Sequence, residues 1–397
     1  MSLLIVESPA KAKKIQSFFK GDFTVRSSFG HINGLDTTKL EKMISDGFEP
    51  IYKNTNNKAI QSLKSVNCNR VILAADDDRE GDAIAWHTGN LFKLDYTQNN
   101  RIKFNEISKR AIQNALDNPG RLDLNSVNAQ RTRQFIDLMI GYKLSPLLWK
   151  HIQTDKRGLS AGRVQSCLLY ILQQHGETIK NYKPEYSYKM NSELNHDDIN
   201  LNSEFQFEKK EITDDIIKEI MNYIINERDC IVTNREKTED KQYSHPPLIT
   251  STLQQSAQSE LELSVKMTMS IAQKLYENGK ITYHRTDSTF ISEDFKKTLQ
   301  SKIVNDYGKE YYMNRAVKKV KGSQEAHECI RPTNLMVNLD DTYKPQDIKL
   351  YNMIRDKTIM SHMKPALFDV LTLQCTNDLL KEYGYFKTNI KSMKGIV

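Results

Sequence analysis

The residues of this chain best able to do chemistry fall in three short segments. ITYHRTDS (281–288) sets Tyr283 two residues before Arg285. A phenol is a poor nucleophile near neutral pH, because its unperturbed pKa is about 10. A cation must therefore stabilise the phenolate and the charge that develops on an attacked phosphate, and a guanidinium does both through paired hydrogen bonds. A buried aromatic followed by a solvated turn would explain the same eight residues, so this window does not decide alone. The second segment, ADDDREGD (75–82), carries Asp76, Asp78 and Glu80 at alternate positions, which in an extended backbone point to one side. The third, VESPAKA (6–12), contributes Glu7 and, one helical turn on, Lys11. One acid at a helix start is explained by the macrodipole. Four converging acids repel unless a cation lies among them, and an oxygen-only set suits Mg²⁺.

The elements that must position these groups are legible around them. SLLIV reads as a strand, followed by Ser8 as N-cap, Pro9 at the first helical position and a basic helix. RVILAADDDREGDAIAWHTGNLF repeats the plan: a strand from Val71 to Ala75, then acids, then an amphipathic helix. Two such units predict a parallel α/β sheet with the site beyond the carboxyl ends of its strands. VNAQRTRQFIDLMIGY predicts one helix with Arg131 and Arg133 near its start, and GLSAGRVQS (158–166) offers small residues that let a backbone approach a ligand. From about 183 to 243 alternating stretches, SYKMNSEL and FQFEKKEI, surround a helix starting after Thr213, and NREKTEDKQYSHPP reads as a polar linker. Ser264 caps a helix that stops at Asn278 and Gly279, directly before ITYHRTDS. The tail from Leu367 returns to strands.

Composition narrows the partners. At 397 residues the chain has room for several domains, and 38% hydrophobic with 27% charged residues marks a globular protein. A net charge of +7, from 57 Lys and Arg against 50 Asp and Glu, is compatible with a polyanion. The five cysteines are scattered with no CxxC pair, which argues against a zinc ribbon or a disulfide framework and for a reducing compartment. SLLIV is too short for a signal peptide or a membrane span, so the expectation is a cytoplasmic protein. No GxxxxGK[ST] occurs, so no use of ATP is expected.

VESPAKA, the DxDxEG of Asp76 to Gly81 and ITYHRTDS, in that order, resemble the type IA DNA topoisomerases. The resemblance extends through SSFGHINGL (27–35), VNAQRTRQFIDLMIGYKLSPLLW (127–149), GLSAGRVQS, PPLITSTLQQSA (246–257), AHECIRPT (326–333) and LYNMI…MKPA (350–366), nearly the whole chain. It implies a multidomain α/β plus α+β fold: a Toprim (Rossmann-like) domain over 1–122, the first part of a helical DNA-binding domain over 123–182, a β-rich arch over 183–243 and 369–397, and a helical domain carrying the tyrosine over 244–368, as in the type IA toroid. It implies that Tyr283 attacks single-stranded DNA, with Arg285 on the phosphate, Lys11 touching the scissile phosphate, Glu7 moving the proton of the 3′-oxygen and His327 near the tyrosine. Glu7, Asp76, Asp78 and Glu80 would hold Mg²⁺. His31, Arg133, Tyr142, Arg163 and Gln165 match positions that contact DNA. Members that prefer a cytosine upstream of the cut carry arginines where Gln134 and Leu138 stand, so that preference is not expected here.

Family members continue beyond the point where this sequence stops, through the rest of the arch, a second half of the helical domain and C-terminal zinc ribbons. The expectation is therefore a monomeric, ATP-independent topoisomerase without zinc that relaxes negatively supercoiled DNA, at the nucleoid or at a viral replication site. Two alternatives stay open. A Toprim nuclease or primase would use the acids without the tyrosine, and a shortened chain would bind or cleave single-stranded DNA without completing relaxation.

Overall fold

The computed structural model describes residues 2–19, 21, 23–152, 158–197, 199–208, 211–315 and 327–396. The chain opens with β1 (Ser2–Val6), α1 (Pro9–Phe18), β2 (Phe23–Ser27), β3 (Asn33–Leu35), α2 (Leu40–Ser45), β4 (Tyr52–Asn54), α3 (Asn57–Lys64), β5 (Arg70–Leu73) and α4 (Arg79–Leu91). Helices α5 (Lys109–Asp117), α6 (Leu124–His151) and α7 (Arg163–Asn181) follow. Then come β6 (Asn191–His196), β7 (Ile199–Phe207), α8 (Asp214–Asn226) and β8 (Ile231–Gln242). The rest is α9 (Thr250–Leu261), α10 (Val265–Glu277), α11 (Glu293–Asp306), α12 (Pro345–Met360), β9 (Ala366–Thr376) and β10 (Gly384–Ile396). The residues form two compact units, one of 1–178, 246–299 and 316–359, the other of 179–245, 300–315 and 360–397. No described helix is long and apolar enough to cross a membrane.

In the first unit β1 is the central strand of a parallel sheet ordered β2-β1-β5, with Leu4 opposite both Val25 and Ile72. Both faces of β1 are apolar and buried, as a parallel strand covered by helices requires. Leu4, Val6, Ile15 and Ile72 join one core with Leu275, Tyr276, Ile281 and Tyr283, so the tyrosine segment and the parallel sheet share a hydrophobic interior. Local signals fall where the sequence set them: Ser8 accepts from Lys11 N at 3.3 Å ahead of Pro9, and Ser264 caps α10 by accepting from Met267 N. Helix α10 ends at Asn278, and Gly279 turns the chain with φ of 66°. A Cβ there would come within 2.4 Å of Ile107 O, so only glycine lets the tyrosine segment lie this close to residues 105–107.

The second unit is an antiparallel sheet ordered β6-β7-β10-β9-β8. Helix α8, capped by Thr213, buries Ile220 with Phe205, Cys375, Leu380, Tyr383 and Phe386. The stretch expected to be a polar linker is for the most part strand β8, paired with β9 from Ile231↔Thr376 to Gln242↔Ala366. Every residue of β8 is exposed, so no burial alternation marked it in the sequence. Its backbone is held by the ladder, with Lys391 and Asp240 adding a cross-strand ion pair at 2.6 Å.

Candidate active site

The acids lie beyond the carboxyl ends of β1 and β5. Glu7 follows β1, and its Oε1 accepts from Asp76 N at 3.0 Å, tying the two strand ends together. The alternation expected for Asp76, Asp78 and Glu80 does not continue as an extended segment. Asp78 is extended and caps α4 through Gly81 N at 2.7 Å, while Glu80 already sits in the first helical turn. The sharp bend is possible because position 81 is glycine: a Cβ there would stand 2.1 Å from Asp76 O. Arg101, almost wholly buried, fixes the bend from behind, donating to Ala75 O and Asp76 O at 2.7 Å and pairing with Asp82 at 3.1 Å.

Lys11, expected at the phosphate, is a buried cation. It is 1% exposed, and its Nζ lies 2.6 Å from both oxygens of Asp76 and 3.6 Å from Glu7 Oε2. Tyr276, from α10, donates to Asp76 Oδ1 at 2.9 Å, and Lys11 rests over its ring at 4.9 Å. These neighbours split the two carboxyls. Burial raises Glu7, helped by the Asp76 charge, to about 7. Burial would raise Asp76 too, but the charge and hydrogen bond of Lys11 outweigh it and leave Asp76 below its ordinary value.

Tyr283 is 4% exposed, and its hydroxyl donates to Asp78 Oδ2 at 2.5 Å. Burial, then the charges of Asp78 and Asp76, push the phenol far above its ordinary pKa, with Arg285 pulling the other way. The resting tyrosine is thus neutral, with its proton aimed at a carboxylate. Its backbone N donates to Asn105 O at 2.8 Å, and Thr250 at the start of α9 holds the next residues by donating to His284 O. Arg285 is exposed and lines one cleft of ≈ 460 Å³ with Glu7, Asp76, Asp78, Glu80, Tyr283 and His284. His327 is buried with its ring centroid 5.7 Å from that of Tyr283, and its Nδ1 has no hydrogen-bond partner among the described residues.

The expected DNA contacts divide. His31 is drawn into the acid site, its Nε2 2.5 Å from Glu80 Oε1, while Gln130 of α6 donates to Glu80 Oε2 at 2.9 Å. Arg133 and Arg163 both pair with Asp137, at 3.9 and 3.0 Å, on an exposed face. Tyr142 is exposed. Gln165 lines an apolar groove with Leu144, Leu147 and Leu169. Leu138 packs on a core formed by Leu35, Met43 and Phe135.

Sequence reasoning missed Tyr276, Arg101, Gln130 and His284. The first three act through partners far along the chain, and their only local signal is a polar group on a buried helix face or strand end. His284 stood inside the quoted motif. It is 1% exposed, lines the cleft, and burial followed by the Arg285 charge lowers it to about 4, so it is neutral.

Whether these residues suit Mg²⁺ depends on how free their oxygens are. Each carboxylate already has partners, and among the described residues no group of three or more His, Cys, Asp or Glu is gathered closely enough to hold an ion alone. Four carboxylates around one open cleft do fit an ion bound through one or two of them, with water and substrate phosphate completing the shell.

The Toprim domain model matches residues 2–107, and the model described as DNA topoisomerase matches residues 121–394. Among solved structures the chain is similar to full-length topoisomerase I from Thermotoga maritima in a monoclinic crystal form, with TM-score 0.82 and 32% sequence identity. The similarity covers 99% of this chain and 66% of that one, so the chain spans just under two thirds of that relative's length. With family models covering both the acid-bearing sheet and the tyrosine-bearing helices, the chain belongs to the type IA DNA topoisomerases.

Proposed function

We propose that the chain cuts and reseals one strand of DNA through Tyr283 without ATP, and so relaxes negatively supercoiled DNA. The observation that carries this is the Tyr283 hydroxyl lying 2.5 Å from Asp78 in a cleft that also holds Glu7 and Arg285. A bond forms between Tyr283 Oη and the phosphorus as the bond from phosphorus to the 3′-oxygen breaks. The phenolic proton passes toward Asp78, the carboxylate it already faces. Glu7, raised to about 7, carries a proton in about half of the molecules at neutral pH and can give it to the departing 3′-oxygen. Arg285, exposed in the cleft, meets the phosphate oxygens and stabilises charge in the transition state. Because the phosphate ester keeps the energy of the broken bond, reversal by the 3′-hydroxyl restores the strand.

Lys11 acts from beneath, holding Asp76 ionised and aligned, and reaches a phosphate only by exchanging that partner. Mg²⁺ bound among Glu7, Asp76, Asp78 and Glu80 would supply positive charge to hold the phosphate for rejoining; Asp78 and Glu80, not paired to Lys11, are its best donors. Arg133, Arg163 and Tyr142 would carry a single strand without reading its sequence. The protein is taken to act as a monomer in the cytoplasm.

The test is a single-stranded oligonucleotide labelled 3′ to the cut, incubated with the intact chain and with Tyr283→Phe, then denatured. Labelled protein from the intact chain alone supports the proposal, and ATP-free relaxation of a negatively supercoiled plasmid extends it to strand passage. Binding without adduct by both proteins contradicts it.

A further inference from the structure

Three consecutive residues, Asn105, Glu106 and Ile107, grip the tyrosine segment at three points. Asn105 O accepts from Tyr283 N at 2.8 Å, Ile107 O packs where Gly279 lacks a Cβ, and Glu106 Oε2 lies 3.1 Å from Arg331 Nη1. Arg331 is 3% exposed. Its Nε donates to Glu328 Oε2 at 2.6 Å, its Nη1 donates to Pro332 O at 3.0 Å, and its guanidinium covers the Phe295 ring at 3.9 Å. Its backbone is bound to the residue before the nucleophile: Thr282 N donates to Arg331 O at 2.9 Å, and Arg331 N donates to Thr282 Oγ1 at 3.0 Å. One buried cation therefore links the tyrosine's backbone to a carboxylate of its own motif and to a carboxylate of the acid-bearing N-terminal region.

Two carboxylates on one guanidinium have a consequence for opening. If Tyr283 keeps the 5′-end while a second strand passes, the tyrosine segment must part from the acids, so this inference rests on the proposed function. Breaking a buried ion pair normally strands a charge. Here Arg331 keeps Glu328 and Phe295 when Glu106 leaves. Glu106 in turn keeps the hydroxyl of Ser108, which donates to it at 2.7 Å, and gains water. We propose that Arg331 is a positioning residue acting as a latch: paired with Glu106 it returns Tyr283 to the acids for resealing once the strand is cut, and it releases Glu106 when the cut ends separate.

The latch predicts different effects for its two carboxylates, which a merely structural role would not produce. Glu106→Gln weakens the closed state alone, so cleavage of the oligonucleotide persists while resealing after a salt jump slows by roughly fivefold or more and adduct accumulates. Glu328→Gln leaves Glu106 as the sole carboxylate on Arg331, so resealing is not slowed while plasmid relaxation is. Melting curves establish that each variant folds. The latch is overturned if both variants slow cleavage and resealing alike, if Glu106→Gln reseals like the intact chain, or if Glu106→Gln fails to fold while Glu328→Gln relaxes plasmid at the unaltered rate. An intact chain that forms no adduct overturns the proposed function and the latch with it, a result distinct from any of these.

Discussion

Replacing Lys11 with methionine separates a buried structural cation from a solvated helix lysine. The Nζ lies 2.6 Å from Asp76 in a pocket that leaves Lys11 1% exposed. At an effective dielectric of about 20, charges at that distance attract by about 6 kcal/mol before the cost of stripping their water. Removing one member of a buried pair generally costs about 3–5 kcal/mol, because the other charge is left uncompensated. Against a total stability of about 5–15 kcal/mol this is a large loss, and it should lower the melting temperature by roughly 6–20 °C. Without Lys11, burial would raise the Asp76 carboxyl, as burial first and the Asp76 charge second already raise Glu7. Adding Asp76→Asn removes the stranded charge, so the double variant should recover about 2–3 kcal/mol of the sum of the single losses. Thermal and urea unfolding of the four proteins gives this coupling directly. A loss below about 1 kcal/mol for Lys11→Met, with additive single effects, would mean that Lys11 is in effect solvated and that the geometry assigned to it is wrong.

Glu7 makes stability fall as pH rises. Its folded pKa of about 7 exceeds the ordinary 4.5, so between those values the folded chain holds a proton that the unfolded chain has released. The loss across that window is at most about 3 kcal/mol, and Glu7→Gln should flatten the pH dependence of melting there. The lowered pKa of Asp76 acts only below its ordinary 3.8 and leaves this window untouched. Arg133→Ala, on an exposed arginine whose pairing with Asp137 spans 3.9 Å, should weaken single-strand binding about equally for all sequences and reduce the log–log salt slope by about 0.7, measured by titration at several salt concentrations.

Local chemistry made much of this architecture legible before any coordinates. Ser8, Thr213 and Ser264 cap helices because a side-chain oxygen satisfies a free backbone N–H, a relation complete within three residues. Gly279 ends α10 for an equally local reason. Strand β8 was not legible, since a polar strand exposed along its length has no alternation to betray it. Alternation of the acids predicted that these carboxylates would share one cleft, which they do, but not by alternation alone, because the backbone turns helical at Arg79 before Glu80 is reached. What no window could disclose was pairing at long range. Tyr276 reaches Asp76 across 200 residues, and Glu106 reaches Arg331 across more. Lys11 stands out in the sequence through its match to a family lysine expected on the phosphate, and only the packing of α10 over it reveals a buried cation held by Asp76.

The most direct test of the account is to find which atom carries the DNA. The covalent adduct formed with a short single-stranded oligonucleotide would be digested with nuclease and trypsin, and the peptides sequenced by mass spectrometry. The account predicts the peptide Ile281–Arg285 with a 5′-nucleotide joined through phosphate to Tyr283, and no such mass from Tyr283→Phe. A nucleotide on any other residue, or an equal adduct from the phenylalanine variant, would contradict it.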